Sequence, residues 1–451
     1  MSLAPPSSPQ HLRDGQRHLL GARRGLEPGR RSKAGRRRTR LLRTLVAVAA
    51  LVVLLVWLTS SGAGLVSPPA KVRVTVILPR VALTGTVTAA VAGAGAGTTG
   101  GGSPGTAGPP GPALPWPTTG QAAVDVPATG YRAQSGPERP VPVASMTKVM
   151  TAYLILADHP LAVGQQGPSV TMTAADAQQF GTDTVTDQAN VILEAGEVLT
   201  EHQMLEGLLV HSANDLAYAL ASWDAGTVQA FVAKMNATAA SLGMHDTHFA
   251  DSSGFLPASV STASDLLTVA AAAMTDPVFA QIVAMPAVTL PLAGTVGSYT
   301  PLLGTTGVVG IKSGFTDAAG GGDLLAYRTS VDGHTLVSLA AVTSQQGWTV
   351  LGLAGREALG LAKASATGIR AVTVLPAGTA VARVSDGSRS VDATTAAPVS
   401  VLAGPGDRVH QAVHVRAPSA GAARGTQIGT ATVVLAGQRI TVPVRLAARL
   451  G

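Results

Sequence analysis

The stretch Ala144-Ser145-Met146-Thr147-Lys148-Val149-Met150-Thr151-Ala152 limits what this chain can become more than any other. Apolar residues recur at spacings of three and four through Met146, Val149, Met150, Tyr153, Leu154 and Ala157, until Pro160 ends the run. That period predicts an α-helix. Because it is apolar on nearly every side, the helix requires a domain that surrounds it. One lysine lies inside it, three residues after a serine, so Ser145 and Lys148 share a face. In isolation such a pair more often means a helix cap beside a solvated lysine. At the floor of a dry cleft it means something else, because desolvation favours the neutral amine, which can take a proton from a hydroxyl.

The 451 residues, 46% of them hydrophobic, suffice for two domains with tails. There is no cysteine, which removes disulfides, thiolate catalysis and cysteine-ligated metal sites. Residues 1–43 hold twelve Arg and Lys against Asp14 and Glu27, so this leader carries +10 of a chain total of +7 and leaves the body at −3. A mildly acidic body is no nucleic-acid surface, and no nucleic-acid partner is expected. Only six of the 32 basic residues are lysine, Lys148 and Lys312 among them. In a chain that defaults to arginine, a lysine suggests a task that involves releasing a proton.

Five segments follow from composition. Residues 1–43 read as a disordered, basic cytoplasmic tail. Residues 44–66 are uncharged and long enough, at about 35 Å as a helix, for a transmembrane anchor. A cleaved signal peptide is the rival, since Ser61-Gly62-Ala63-Gly64 suits a peptidase; the long leader favours the anchor. Either way the basic flank places the body outside the cytoplasm. Residues 67–115 read as a Gly/Ala/Pro-rich linker, with a β-like run from Val72 to Leu78 that has no evident role. Residues 116–368 read as the folded body that carries Ser145 and Lys148, opening on a hairpin of Ala122–Val126 and Tyr131–Ala133. Helical patterns then span Thr200–Val210, Asp215–Trp223, Thr227–Leu242 and Thr262–Met274, followed by strands at Val308–Lys312, Leu324–Arg328 and Thr335–Val342 with a turn at Asp332-Gly333. This order predicts an α+β fold, an antiparallel sheet with a helical block. Residues 369–451, where Val-rich runs alternate with turns, read as a small all-β domain.

Two further motifs accompany the first. His211-Ser212-Ala213-Asn214-Asp215 sets a hydroxyl two residues from a carboxamide on a short loop. Gly310-Ile311-Lys312-Ser313-Gly314-Phe315-Thr316 sets a cation and a hydroxyl on a strand, with a glycine that lets another backbone come close. Each is common alone. Together, S-x-x-K, S-x-N 64 residues after the lysine, and K-S-G after a helical block resemble the serine D-alanyl-D-alanine carboxypeptidases, the low-molecular-mass penicillin-binding proteins, with β-lactamases as more distant relatives. The resemblance runs from about Trp116 to Arg356 and includes Pro142-Val143-Ala144-Ser145, Glu194-Ala195-Gly196-Glu197, Asp251-Ser252-Ser253-Gly254 and Thr262-Ala263-Ser264-Asp265.

The resemblance implies a β-lactamase/transpeptidase-like fold and an acyl-enzyme on Ser145, with Lys148 as base and Ser212 as proton relay. It implies that Asn214, Lys312, Ser313, Gly314 and Phe315 bind a peptidoglycan stem peptide ending in D-Ala-D-Ala, and that β-lactams inhibit. Two departures stand out. Ser313 replaces the family's usual threonine and keeps its hydroxyl, and the chain ends at Arg445–Gly451 rather than in the amphipathic helix that anchors several members. The amino-terminal span is expected to take that part. A β-lactamase of the class that deacylates with a glutamate between the second and third motifs is disfavoured, because none occurs between Glu206 and Glu357. A wall-binding protein without activity is disfavoured because every chemical residue is present. His245 and His248 lack a helical H-E-x-x-H pattern, so neither a metal nor another cofactor is expected.

Overall fold

The structure, a computed structural model, describes residues 72–77, 87–91 and 113–451, apart from residues 348, 405, 406, 436 and 437. The expected basic tail and membrane span therefore lie outside the described residues. No helix among the described residues is long and apolar enough to cross a membrane.

The centre of the molecule is a five-stranded antiparallel sheet built from both ends of the catalytic region. Its strands are β1 (Gln121–Val126), β2 (Tyr131–Gln134), β3 (Val308–Thr316), β4 (Gly320–Val331) and β5 (His334–Gln345), in the spatial order β3-β4-β5-β1-β2. Asp332 and Gly333 both take positive φ, 48° and 81°, as a two-residue hairpin turn between Val331 and His334 requires. Alternation along the strands assigns the two faces. Ala123, Leu324, Ala326, Leu339 and Ala341 enter the core shared with the helical block. Their neighbours Ala122, Val124, Leu325, Ala340 and Val342 pack on the opposite face against Ala354, Ala358, Leu361 and Ala362.

Those last four residues belong to α8 (Val350–Ser365), which the sequence reading had not assigned. Gly352, Gly355 and Gly360 lower its intrinsic propensity, and it forms because the sheet face buries it. The helical block holds α1 (Lys148–Asp158), α2 (Ala174–Val185), α3 (Glu201–Leu209), α4 (Asn214–Ala225), α5 (Val228–Ser241), α6 (Ala263–Ala273) and α7 (Pro277–Ile282). Eight of the eleven residues of α1 are buried, so it is the helix the others surround. α6 opens on Thr262, whose hydroxyl accepts from Asp265 N–H. α2 was also unassigned: among its residues Asp183 alone is buried, so no apolar period marks it, and a reciprocal capping box between Thr173 and Asp176 defines its start.

The C-terminal strands form a second unit of core. A seven-stranded sheet runs in the order 73–76, 380–385, 390–395, 438–446, 427–435, 410–415 and 87–91, with a two-stranded sheet of 370–375 and 399–403 beside it. Two of these strands come from residues 67–115, read as a linker with a β-like run from Val72 to Leu78; the first falls within that run, and the second lies outside it. Arg73–Val76 pairs antiparallel with Ala382–Ser385, and Val87–Val91 pairs parallel with Gln411–Val415. In the first, alternation decided the outcome: Val74 and Val76 pack onto the C-terminal core, overriding a Gly- and Pro-rich average. A smaller cluster of Val126, Leu336, Ile369 and Leu402 joins this core to the central sheet.

Candidate active site

The nucleophile's position is set by a short 3-10 turn, Ala144–Thr147, that precedes α1. Ala144 adopts φ 49°, a left-handed conformation unusual for a residue with a Cβ. Gly254 is what makes room for it. Its φ of 82° suits glycine, and a Cβ there would lie 1.9 Å from the Ala144 carbonyl oxygen. On the other side Gly314 of β3 comes so near that a Cβ would sit 3.0 Å from both Ser145 N and Val143 O. The turn is thus clamped between two glycines, and Ser145 is left half-buried while Lys148 is wholly buried.

Lys148 Nζ has three partners: Ser145 Oγ at 2.9 Å, Asn214 Oδ1 at 2.5 Å and the Ser253 carbonyl at 2.8 Å. Two of them can only accept. Asn214 Oδ1 is fixed in that role because its Nδ2 donates to Gln188 Oε1 at 2.6 Å. A neutral amine has two hydrogens, and the two carbonyl oxygens use both. Its lone pair is then left facing the third partner, the Ser145 hydroxyl. Burial drives Lys148 well below the usual amine range, and the nearby Lys312 cation adds to the effect.

The remaining residues come from the α3–α4 loop and from β3. Ser212 is buried in a left-handed conformation, φ 64°, two residues before Asn214. No hydrogen bond joins its hydroxyl to Ser145 or Lys148 among the described residues. Lys312 is fully buried and donates to the Ser313 carbonyl at 2.9 Å. Ser313 Oγ donates to the Tyr299 carbonyl at 2.7 Å. Across the ladder from Ser313 stands Asp323, wholly buried, with neither carboxylate oxygen hydrogen-bonded. Burial lowers Lys312 to about 8 and raises Asp323 to about 8, each charge partly offsetting the other's penalty. Phe315, in contrast, is 49% exposed.

The family model for Peptidase_S11, D-alanyl-D-alanine carboxypeptidase, matches residues 130–342. A D-alanyl-D-alanine carboxypeptidase of a Streptomyces species is 31% identical over 215 residues, covering 46% of this chain and 70% of its own. The chain belongs to the serine D-alanyl-D-alanine carboxypeptidase family. The carboxypeptidase DacB2 of Mycobacterium tuberculosis is 36% identical over 186 residues, 40% of this chain and 59% of that one, so less than two thirds of that relative is spanned. Two solved structures share the carboxypeptidase fold at lower identity. The DacD enzyme of Francisella tularensis is 19% identical with a TM-score of 0.52, covering 75% of this chain and 95% of its own. PBP3 of Streptococcus pneumoniae is 20% identical with a TM-score of 0.56, covering 73% and 98%.

The structure joins Ser145 and Asn214 through Lys148, and lays Gly314 against the Ser145 turn. Three participants, Tyr299, Gln188 and Asp323, escaped the sequence reading, and Ser253 was noted only within a motif. Ser253 and Tyr299 contribute backbone carbonyls, which leave no side-chain signature. Gln188 follows a helix with no apolar period. Asp323 sits in a glycine-rich strand, where its full burial is a tertiary effect. Asp251 was noted only as part of a motif, yet it organises the Ser253 loop by accepting from Gly254 N, Phe255 N, Ser253 Oγ and Ser259 Oγ.

Proposed function

We propose that the chain hydrolyses the terminal peptide bond of peptidoglycan stem peptides ending in D-Ala-D-Ala. One observation carries the reading: a wholly buried amine with carbonyl oxygens at 2.5 and 2.8 Å and, as its third partner at 2.9 Å, a half-buried serine hydroxyl. Lys148 takes the Ser145 proton as Oγ attacks the penultimate carbonyl. The oxyanion forms between the N–H groups of Ser145 and Phe315. The C–N bond then breaks, and the leaving D-alanine amine receives a proton through Ser212. Water cleaves the resulting ester and restores Ser145. Asn214 holds Lys148 and the substrate amide, while Lys312 and Ser313 bind the terminal carboxylate. β-Lactams acylate the same serine. Release of D-alanine from a pentapeptide by the full chain tests the reading, and its absence under conditions where the protein is folded would overturn it.

The carboxylate-binding role predicts a pH dependence. Only protonated Lys312 attracts a carboxylate, so kcat/KM falls as pH rises through about 8, by about tenfold per unit beyond it. Asp323→Asn removes the negative charge that raises Lys312, and so moves this alkaline limb to lower pH. A limb unmoved by the substitution would separate Lys312 from the titration.

The apolar run 44–66 behind a basic leader supports a single-pass anchor with the body outside the cytoplasm. Full-length protein is expected to stay with membranes through a high-salt wash and to lose its body to external protease. Release by salt would contradict the anchor.

A further inference from the structure

A side-chain carboxamide has nearly the same shape either way round, so shape alone does not decide whether Asn214 turns its oxygen or its N–H to Lys148. The difference matters for the proposed reaction, on which this inference rests. With the oxygen there, a neutral Lys148 gives a hydrogen to Asn214 and keeps its lone pair for Ser145. With the N–H there, the lone pair would accept from Asn214, and Lys148 would meet the Ser145 oxygen with a hydrogen. An amine turned that way takes no proton from the serine.

A run of hydrogen bonds behind the catalytic residues fixes the choice. It starts at the Thr182 carbonyl in the last turn of α2, a backbone group that only accepts. Thr186 Oγ1 donates its single hydrogen to that carbonyl at 2.8 Å, so toward Gln188 it is left an acceptor. Gln188 Nε2 accordingly donates to Thr186 Oγ1 at 2.8 Å, which turns Gln188 Oε1 the other way, onto Asn214 Nδ2 at 2.6 Å. Asn214 Oδ1 then faces Lys148. Each link pairs one donor with one acceptor, so no member reverses without setting two donors or two acceptors face to face. The backbone keeps the links in reach. Gln188 N donates to the Asp183 carbonyl and Asn214 N to the Ala189 carbonyl, both at 2.8 Å, and Asn190 Nδ2 donates to the Gln188 carbonyl at 2.9 Å. Val191 N adds a bond to Asp215 Oδ2 at 3.1 Å, which ties the segment after α2 to the start of α4. We propose that Gln188 and Thr186 are positioning residues of the hydrolysis: they hold the Asn214 carboxamide with its oxygen on Lys148, and thereby keep the lysine's lone pair on Ser145. In this role neither touches the substrate. Thr186 is exposed, where a hydroxyl of no further use is lost at little cost.

The test follows acylation of the full-length protein by labelled penicillin, reading the rate at saturation and the half-saturating concentration separately. In Gln188→Leu the Asn214 carboxamide is free to turn, and the saturating rate falls by about tenfold while the half-saturating concentration stays within about twofold of wild type. Thr186→Val keeps the shape and removes the hydroxyl; it is expected to lose about threefold in the same rate. Thr186→Ser, which keeps the hydroxyl, restores it. Thr186→Val at the wild-type rate, or a Gln188→Leu effect confined to the half-saturating concentration, overturns the positioning role and leaves the carboxypeptidase reading standing. A wild-type protein that forms no adduct and releases no D-alanine from a pentapeptide overturns that reading, and the positioning role with it.

Discussion

Full-length protein carrying Ser145→Ala is expected to form no covalent adduct with labelled penicillin and to release D-alanine at a rate lower by about four orders of magnitude or more. The structure makes this a narrow test. Ser145 is half-exposed on a turn fixed by Gly254 and Gly314, and its hydroxyl makes one hydrogen bond, to Lys148. Its loss costs about 1 kcal/mol, too little to unfold a domain of this size. An adduct in the variant, or an adduct of the wild-type protein on Ser212 or Ser313, shows by mass that the nucleophile has been misassigned.

Replacing Lys148 separates the roles of charge and lone pair. Lys148→Met keeps most of the buried volume and removes the amine; acylation by penicillin is expected to slow by about two to four orders of magnitude. Lys148→Arg offers a cation of the same sign that cannot give up its proton and has no lone pair to present. It is expected to be no better than methionine. The pH profile supplies the second readout. In the wild-type protein acylation rises with pH as the amine is deprotonated, and burial places that limb well below the 10.5 of a free lysine. Lys148→Met abolishes the limb. A variant with arginine that acylates at near wild-type rates shows that Lys148 supplies charge rather than basicity.

How much of this was readable beforehand follows from what kind of interaction builds each part. The helices at 201–209, 228–241 and 263–273 and the strands of the central hairpin declare themselves through apolar period and turn chemistry, which are local. The Ser145–Lys148 contact is local too, a matter of one helical turn. What joins Asn214 to Lys148, 66 residues away, is tertiary, and only the co-occurrence of three motifs hinted at it. Backbone contributors stayed hidden, since the Ser253 carbonyl would be present whatever residue stood there. The helix at 350–365 was hidden because three glycines weaken a pattern that burial against the sheet then enforces. The run around Val74 was visible as β-like but had no partner nearby; its partner, Val384, lies more than three hundred positions further on.

That pairing has a consequence for how the molecule is assembled. The central sheet draws its strands from residues 121–345, so it can be complete while later segments are still being made. The C-terminal sheet needs Arg73–Val76 as the outer neighbour of Ala382–Ser385, and so waits for the last-made strands to meet one of the first. Until then the early strand keeps an open ladder of donors and acceptors, and the edge at 380–385 is likewise uncapped until it arrives. A chain cut between these two partners would hold its catalytic half together and leave its other half with a seam to fill.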